Sequence, residues 1–275
     1  MVLVFWKRLL ALFFLFSSCV ADFDYYVLTR QYPMAICRAD NQAHSDSCKI
    51  PSDTDSWTLH GLWPSSSSRR DIEFCTKDKF DDADIKPIWK KLLEAWPNLL
   101  TGKGVTSFWK HEFEKHGTCA LSEVKNELGY FKTSIQLHER FNITKALEDG
   151  GIKQSEDTRY ALADIRAVAE YRLGKRQLQL HCVHDKDNDW LLADIRLCLN
   201  KSFNPVDCPR LRKHNPAKYF NKLKQGGALP PVEPCPAQGI KYIGSEVSGP
   251  KSSPLASFML SAVVLLATIL FFRVD

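Results

Sequence analysis

The 275-residue chain lacks several signatures that would fix its class at once. It has no Cys-x-x-Cys pair, which removes the thiolate pairs of zinc ribbons and dithiol redox motifs. It has no internal repeat, which excludes a solenoid or propeller, and no low-complexity block in the body of the chain. Charge of one sign is scarce. The formal net charge is +5, and setting aside residues 1–21, which hold Lys7 and Arg8 and no acid, leaves +3. So small an excess does not describe a broad basic groove on duplex DNA, where binding depends on neutralising many phosphates. DNA is therefore not an expected partner, and any nucleic acid bound is held at a compact cleft.

Long apolar runs occur only at the two ends. Residues 1–21 read as a secretory signal: Lys7 and Arg8, an apolar run over 9–16, then small residues before a cleavage site after Ala21. Residues 255–272 carry no charge and as a helix span about 27 Å, enough for a bilayer. A Gly, Ser, Pro and Lys linker over 244–254 precedes them. Two readings stand for this tail: a transmembrane anchor, or a removed lipid-anchor (GPI) signal. Either leaves residues 22–243 as one domain outside the cytosol, large enough for a real core. The sequence carries no signature of an oligomeric state.

Cysteine usage agrees with that compartment. Apart from Cys19 in the signal, eight cysteines remain: Cys37, Cys48, Cys75, Cys119, Cys182, Cys198, Cys208 and Cys235. An even number in a secreted chain implies disulfides, in any of 105 connectivities. Asn142-Ile143-Thr144 and Asn200-Lys201-Ser202 are acceptor sequons for glycans.

Pattern along the chain predicts strands over 22–32, 57–60, 178–183 and 190–199, the last interrupted by Asp194 and Arg196. It predicts helices over 85–96, stopped by Pro97; from Ser107 as cap through His116, ended by Gly117; over 121–137; and over 155–173 with Ser155 as cap. Residues 38–56 and 65–70 read as loops, and 230–236 as a proline-rich closing segment pinned by Cys235. Strands early and late with helices between predict an α+β fold, an antiparallel β-sheet core with packed helices.

Two segments carry the chemistry: Trp57-Thr58-Leu59-His60-Gly61-Leu62-Trp63-Pro64, and Phe108-Trp109-Lys110-His111-Glu112-Phe113-Glu114-Lys115-His116-Gly117-Thr118-Cys119. Three histidines, a carboxylate and a lysine suit proton transfer on a phosphodiester. On a helix Glu112 and His116 are neighbours, as are His111 and Lys115. Glu112 is placed to orient the His116 imidazole, raising its pKa, or to meet a phosphate-bound proton. Lys115 is placed to hold a phosphate oxygen as charge builds. His111-Glu112 opens like the zinc motif H-E-x-x-H, but Lys115 takes the place of the second histidine. His111 and His116 diverge by about 140° on a regular helix. No metal site and no cofactor are expected.

These segments resemble the two catalytic segments of the ribonuclease T2 family. The resemblance continues at Leu28-Thr29-Arg30-Gln31-Tyr32-Pro33 and at Ala193-Asp194-Ile195-Arg196-Leu197-Cys198, and spans roughly residues 22–240. Tyr32 and Phe113 stand where the family usually has tryptophan, keeping an aromatic ring. The resemblance implies a ribonuclease T2-like fold and metal-free cleavage of single-stranded RNA through a 2′,3′-cyclic phosphate to 3′-phosphate ends. DNA, lacking the 2′-OH, is no substrate. It implies His116 as general base, His60 as general acid, Glu112 and Lys115 stabilising the pentacovalent phosphate, and His111 binding phosphate. It also implies the pairs Cys37–Cys48, Cys75–Cys119, Cys182–Cys235 and Cys198–Cys208.

Trp63 and Phe108 have two readings, stacking on bases or core; Trp57 and Trp109 read as core. His138, His181, His184 and His214 read as structural or solvent-exposed. The alternative function is a secreted or surface RNA- or receptor-binding glycoprotein in which catalysis is incidental. Its expected place is extracellular, cell-surface or endo-lysosomal.

Overall fold

Strands β1 (Tyr25–Gln31) and β4 (Trp190–Asn200) form the centre of a seven-stranded sheet. The computed structural model describes residues 23–52, 54, 56–68, 72–209 and 230–244. β4 is buried at nearly every position, as expected of a strand covered on both faces. β2 (Thr58–Ser65) pairs antiparallel with β1, and β3 (Gln179–His184) antiparallel with β4. Short strands complete the sheet: β5 (Pro205–Val206) and β7 (Ile240–Lys241) pair with β4, and β6 (Glu233–Pro234) with β3.

Register slips once on each side of the central pair. Thr29 pairs with Gly61 and Arg30 with Leu59, so His60 is an extra residue in β2. His181 pairs with Asp194 and Cys182 with Leu192, so Ala193 is extra in β4. A bulge reverses the in–out alternation beyond it. That reversal lets Leu59 and Leu62, three residues apart, both lie fully buried while His60 between them is partly exposed.

Helices pack around the sheet: α1 (Pro33–Ala43), α2 (Trp89–Ala95), α3 (Thr106–Lys115), α4 (Leu121–Val124), α5 (Glu127–Arg140), α6 (Ile143–Asp149) and α7 (Leu162–Arg172). The expected α+β architecture holds. Several local expectations do not: the second strand runs on to Ser65, the helix expected over 85–96 opens as a 3-10 turn over Lys86–Ile88, and four further elements differ. Helix α1 runs into the predicted loop, because Ala35, Ile36, Ala39 and Asp40 form its buried face although polar residues surround them. The predicted helix over 121–137 is two helices, broken at Lys125 (φ 74°) and restarted by Asn126, whose side chain accepts from the Gly129 amide. Helix α7 begins at Leu162 rather than 155. Ser155 Oγ instead accepts from the Asp157 and Thr158 amides, and the 155–160 segment bonds to the backbone of Ile240 and Tyr242. Finally, Val105 rather than Ser107 is the N-cap of α3. Ser107 sits in the first turn and donates to the Gly104 carbonyl.

An aromatic cluster joins α2, α3 and α5 to the sheet. Trp96 packs edge-on to Phe131 at 5.4 Å, and Trp89 edge-on to Trp109 at 5.1 Å. Such pairs contribute about 0.5–1.5 kcal/mol beyond their area. The indole of Trp109 donates to the Trp96 carbonyl, and that of Trp96 to the His60 carbonyl, so the helical layer holds the bulge.

Disulfides Cys37–Cys48, Cys75–Cys119, Cys182–Cys235 and Cys198–Cys208 are those the resemblance implied. Four of them mark a chain folded in an oxidising compartment. One unit extends to Ile243; of the second, from Gly244, only that residue is described. The expected signal (1–21), the rest of the linker and the apolar segment 255–272 lie outside the described residues, as does His214. Among the described residues no helix is long and apolar enough to cross a membrane.

Candidate active site

Two elements carry the candidate groups to one place. The bulge in β2 presents His60, and the last turns of α3 present Glu112, Lys115 and His116. The Trp63 indole joins them: its ring lies edge-on to His60 at 5.1 Å and stacks on His116 at 5.1 Å. Its Nε1–H donates to Glu112 Oε2 at 2.8 Å. Arg196 from β4 lies 5.3 Å over the same ring. Trp63 is thus engaged by four protein groups. Phe108 is partly exposed and packs 5.6 Å from His60. Trp57 and Trp109 are core.

Gly61 makes this contact possible. A Cβ there would collide with the Trp63 indole nitrogen and with Glu112 Oε2. The glycine between His60 and Leu62 is therefore required by side-chain crowding and not by backbone dihedrals.

The geometry corrects the sequence reading at Glu112. The carboxyl bonds to Trp63, not to His116, whose buried Nδ1 has no hydrogen-bond partner among the described residues. The expected rise in the His116 pKa is reversed. Burial first, then the charge of Lys115 and of the two neighbouring histidines, draws the imidazole down to about 2. Burial pushes Glu112 up to about 8, although the Trp63 hydrogen bond and Lys115 oppose the rise. Glu112 is therefore a neutral acid at mildly acid pH, able to donate a hydrogen bond.

His60 differs. Its side chain is 32 % exposed and so open to solvent, and Nδ1 lies 3.9 Å from Asp194 Oδ2. Burial lowers the imidazole to about 4; Asp194 pulls it up, while Arg196, His111 and Lys115 press it down. Lys115 Nζ rests 3.1 Å from Glu73 Oε1, an anion that sequence reasoning did not find. His111 is exposed at the rim.

Asp194, Arg196 and His181 were also missed as neighbours of the site. Asp194 is fully buried, takes the Arg196 Nε–H at 2.7 Å and lies 3.3 Å from His181 Nδ1. Burial opposes its ionisation, yet Arg196 and His181 hold its carboxyl down at about 2. The available signal was two charged residues inside an otherwise apolar strand. His181 is buried beside Asp194 and His138 is partly buried; His184 is exposed and packs on Trp190. Among the described residues no group of histidine, cysteine and carboxylate side chains is arranged to hold a metal ion.

The sequence-family model "Ribonuclease T2 family" matches residues 23–208. The chain belongs to the ribonuclease T2 family. It is 39 % identical over 245 residues to the ribonuclease T2 protein rnst-2 of Caenorhabditis elegans, covering 86 % of each chain. To ribonuclease Oy of Magallana gigas it is 36 % identical, covering 68 % of this chain and 88 % of that one. The fold superposes on a crystal structure of RNase NT in complex with 5′-AMP with a TM-score of 0.66 and 22 % identity. That match covers 81 % of this chain and 99 % of the other. In this ribonuclease T2 family member the matched segments thus bring His60, Trp63, Glu112 and His116 to one site.

Proposed function

We propose that the cleft cleaves single-stranded RNA by transferring each phosphodiester onto the substrate's own 2′-oxygen. Membership of the family makes the chain an RNA-cleaving enzyme; the route through these residues is our reading. His116, kept neutral by burial, removes the 2′-OH proton as the 2′-oxygen bonds to phosphorus. The P–O5′ bond breaks, and His60 gives its proton to the departing 5′-oxygen. The 2′,3′-cyclic phosphate is then opened by water, the two histidines exchanging roles, to leave a 3′-phosphate. Lys115 and the neutral Glu112 carboxyl hold the phosphorane oxygens, and His111 meets the incoming phosphate. Phe108 offers its open ring to a base, while Trp63 serves as the frame of the site.

The observation that carries this reading is the Trp63 indole, which touches both imidazoles and bonds to Glu112. One experiment tests it: cleavage of a short single-stranded RNA in EDTA by the oxidised protein and by its His60→Ala and His116→Ala variants. Cyclic ends from the parent alone support the reading. No cleavage by folded parent between about pH 4 and 8 removes it.

The same reading places the protein in the secretory pathway and in an extracellular or endo-lysosomal space, with residues 1–21 as the signal. Asn142 and Asn200 are the glycan acceptors. Both already accept backbone hydrogen bonds at Oδ1, from Lys145 and from Ser202 and Asn204, so carbohydrate on Nδ2 would stand on ordered anchors. Residues 255–272 are assigned to membrane attachment. Release of the protein from cells by a phospholipase specific for lipid anchors would favour the GPI form over a transmembrane one.

A further inference from the structure

We infer that Asp194 is the positioning residue of His60: its free carboxylate oxygen keeps the imidazole proton on Nδ1, leaving Nε2 to serve the departing 5′-oxygen. This rests on the acid role proposed for His60 above.

The geometry is that of a clamped carboxylate with one oxygen left over. Oδ1 accepts from Arg196 Nε at 2.7 Å and faces His181 Nδ1 at 3.3 Å. Oδ2 is buried without a hydrogen-bond partner among the described residues and lies 3.9 Å from His60 Nδ1. An unpaired carboxylate oxygen in the interior is unfavourable, and the His60 imidazole, 3.9 Å away, is a donor that can relieve it. The present separation exceeds a hydrogen bond, so a closure of under about 1 Å completes the contact.

Backbone irregularity converges on the pair. His60 is the extra residue of β2, and Asp194 directly follows Ala193, the extra residue of β4. These strands are not adjacent; β1 runs between them, leaving their backbones about 9–10 Å apart. Regular strands would not be expected to bring these two side chains together across it.

Asp194 is also the counter-charge in a cationic cleft. Arg196, His111, Lys115 and His116 all face His60, and each disfavours its protonation when charged; Asp194 favours it. Asp194 itself is faced by Arg196 on β4, His181 on β3, His60 on β2 and, more remotely, Arg30 on β1.

Nitrogen NMR of the oxidised, histidine-labelled protein tests the tautomer directly. At neutral pH His60 is expected with its proton on Nδ1; a proton on Nε2 overturns the inference. In Asp194→Asn, checked for native folding by near-UV circular dichroism, the His60 titration is expected to move to lower pH. The alkaline limb of kcat should move with it, with KM little changed. Activity on that limb falls roughly tenfold for each unit of displacement. Asp194→Glu should return the limb part of the way. Lost activity with an unmoved limb and an unmoved His60 titration would make Asp194 a purely structural residue. Should the protein cleave no RNA at all, the acid role fails, but the tautomer and the titration still decide the contact.

Discussion

The two imidazoles of the site sit in different electrical settings. His60, on the sheet side, is partly open and has a buried carboxylate 3.9 Å from its Nδ1. His116, on the helix side, is buried against Trp63, and its Nδ1 meets no partner among the described residues. The charges that act on it are those of Lys115 and the other two histidines, and the carboxyl four residues earlier is tied to the indole. An acid must carry a proton before the transition state and a base must not. The setting with a counter-charge suits the acid and the setting without one suits the base. A bound phosphate anion raises both pKa values together, so the order between them survives substrate binding.

Leaving-group chemistry is the strongest way to break that contrast. His60→Ala and His116→Ala should each lower kcat/KM for a dinucleotide by roughly 10²–10⁴-fold. A substrate with sulfur in place of the 5′-oxygen departs as a thiolate and needs no proton, since a thiol has a pKa of about 8.5. It should restore most of the loss in His60→Ala and little of the loss in His116→Ala. The reverse pattern would exchange the two roles.

How legible this contrast was in the sequence depended on whether a property is local. The helix placing Glu112, Lys115 and His116 follows from spacing, and the two long motifs single out His60 and His116 as the pair proposed to move protons. What spacing cannot convey is the third dimension. Glu112 and His116 are neighbours along α3, yet Trp63 from another strand captures the carboxyl. Asp194 comes within 3.9 Å of His60 where two bulges re-aim side chains, and a bulge has no periodic signal. Glu73, from the loop before Cys75, meets Lys115 only in the fold. Boundaries failed for a related reason: Ser155 and Asn126 satisfy local backbone groups that a pure hydrophobic period ignores.

Charge on the helix side gives the next largest effect. Lys115→Ala should lower kcat by about 10²–10³-fold, since it removes a cation aimed at developing phosphorane charge. Glu73→Gln removes the anion that now shares that cation, so it should raise phosphate affinity modestly; weaker binding would make Glu73 a necessary guide for the lysine. Gly61→Ala comes after these. Its Cβ must push apart Trp63 and Glu112, at a cost of about 1–3 kcal/mol in stability. Displacing the frame shared by both imidazoles should cost up to about 10²-fold in kcat. Thermal unfolding and steady-state assays on the same preparation separate the two losses.

The smallest effect sharpens the contrast through stability. Glu112 has a folded pKa of about 8 against an ordinary 4.5. The folded state therefore holds its proton more tightly, and the stability present below pH 4.5 declines as pH rises through 8. His60 works in the opposite sense, with a folded pKa of about 4 against 6.5, so stability present above 6.5 is lost as pH falls through 4. Glu112→Gln keeps an oxygen to accept from Trp63 Nε1 and removes only the alkaline decline. Its Tm should match the parent near pH 4.5 and exceed it by a few degrees near pH 8. Glu127, also raised, to about 7, contributes to the decline in both proteins and cancels in the difference. Equal Tm values near pH 8 would mean that Glu112 ionises freely in the folded protein. The helix side would then hold an anion after all, and the electrical difference between the two histidines would shrink to the exposure of His60 alone.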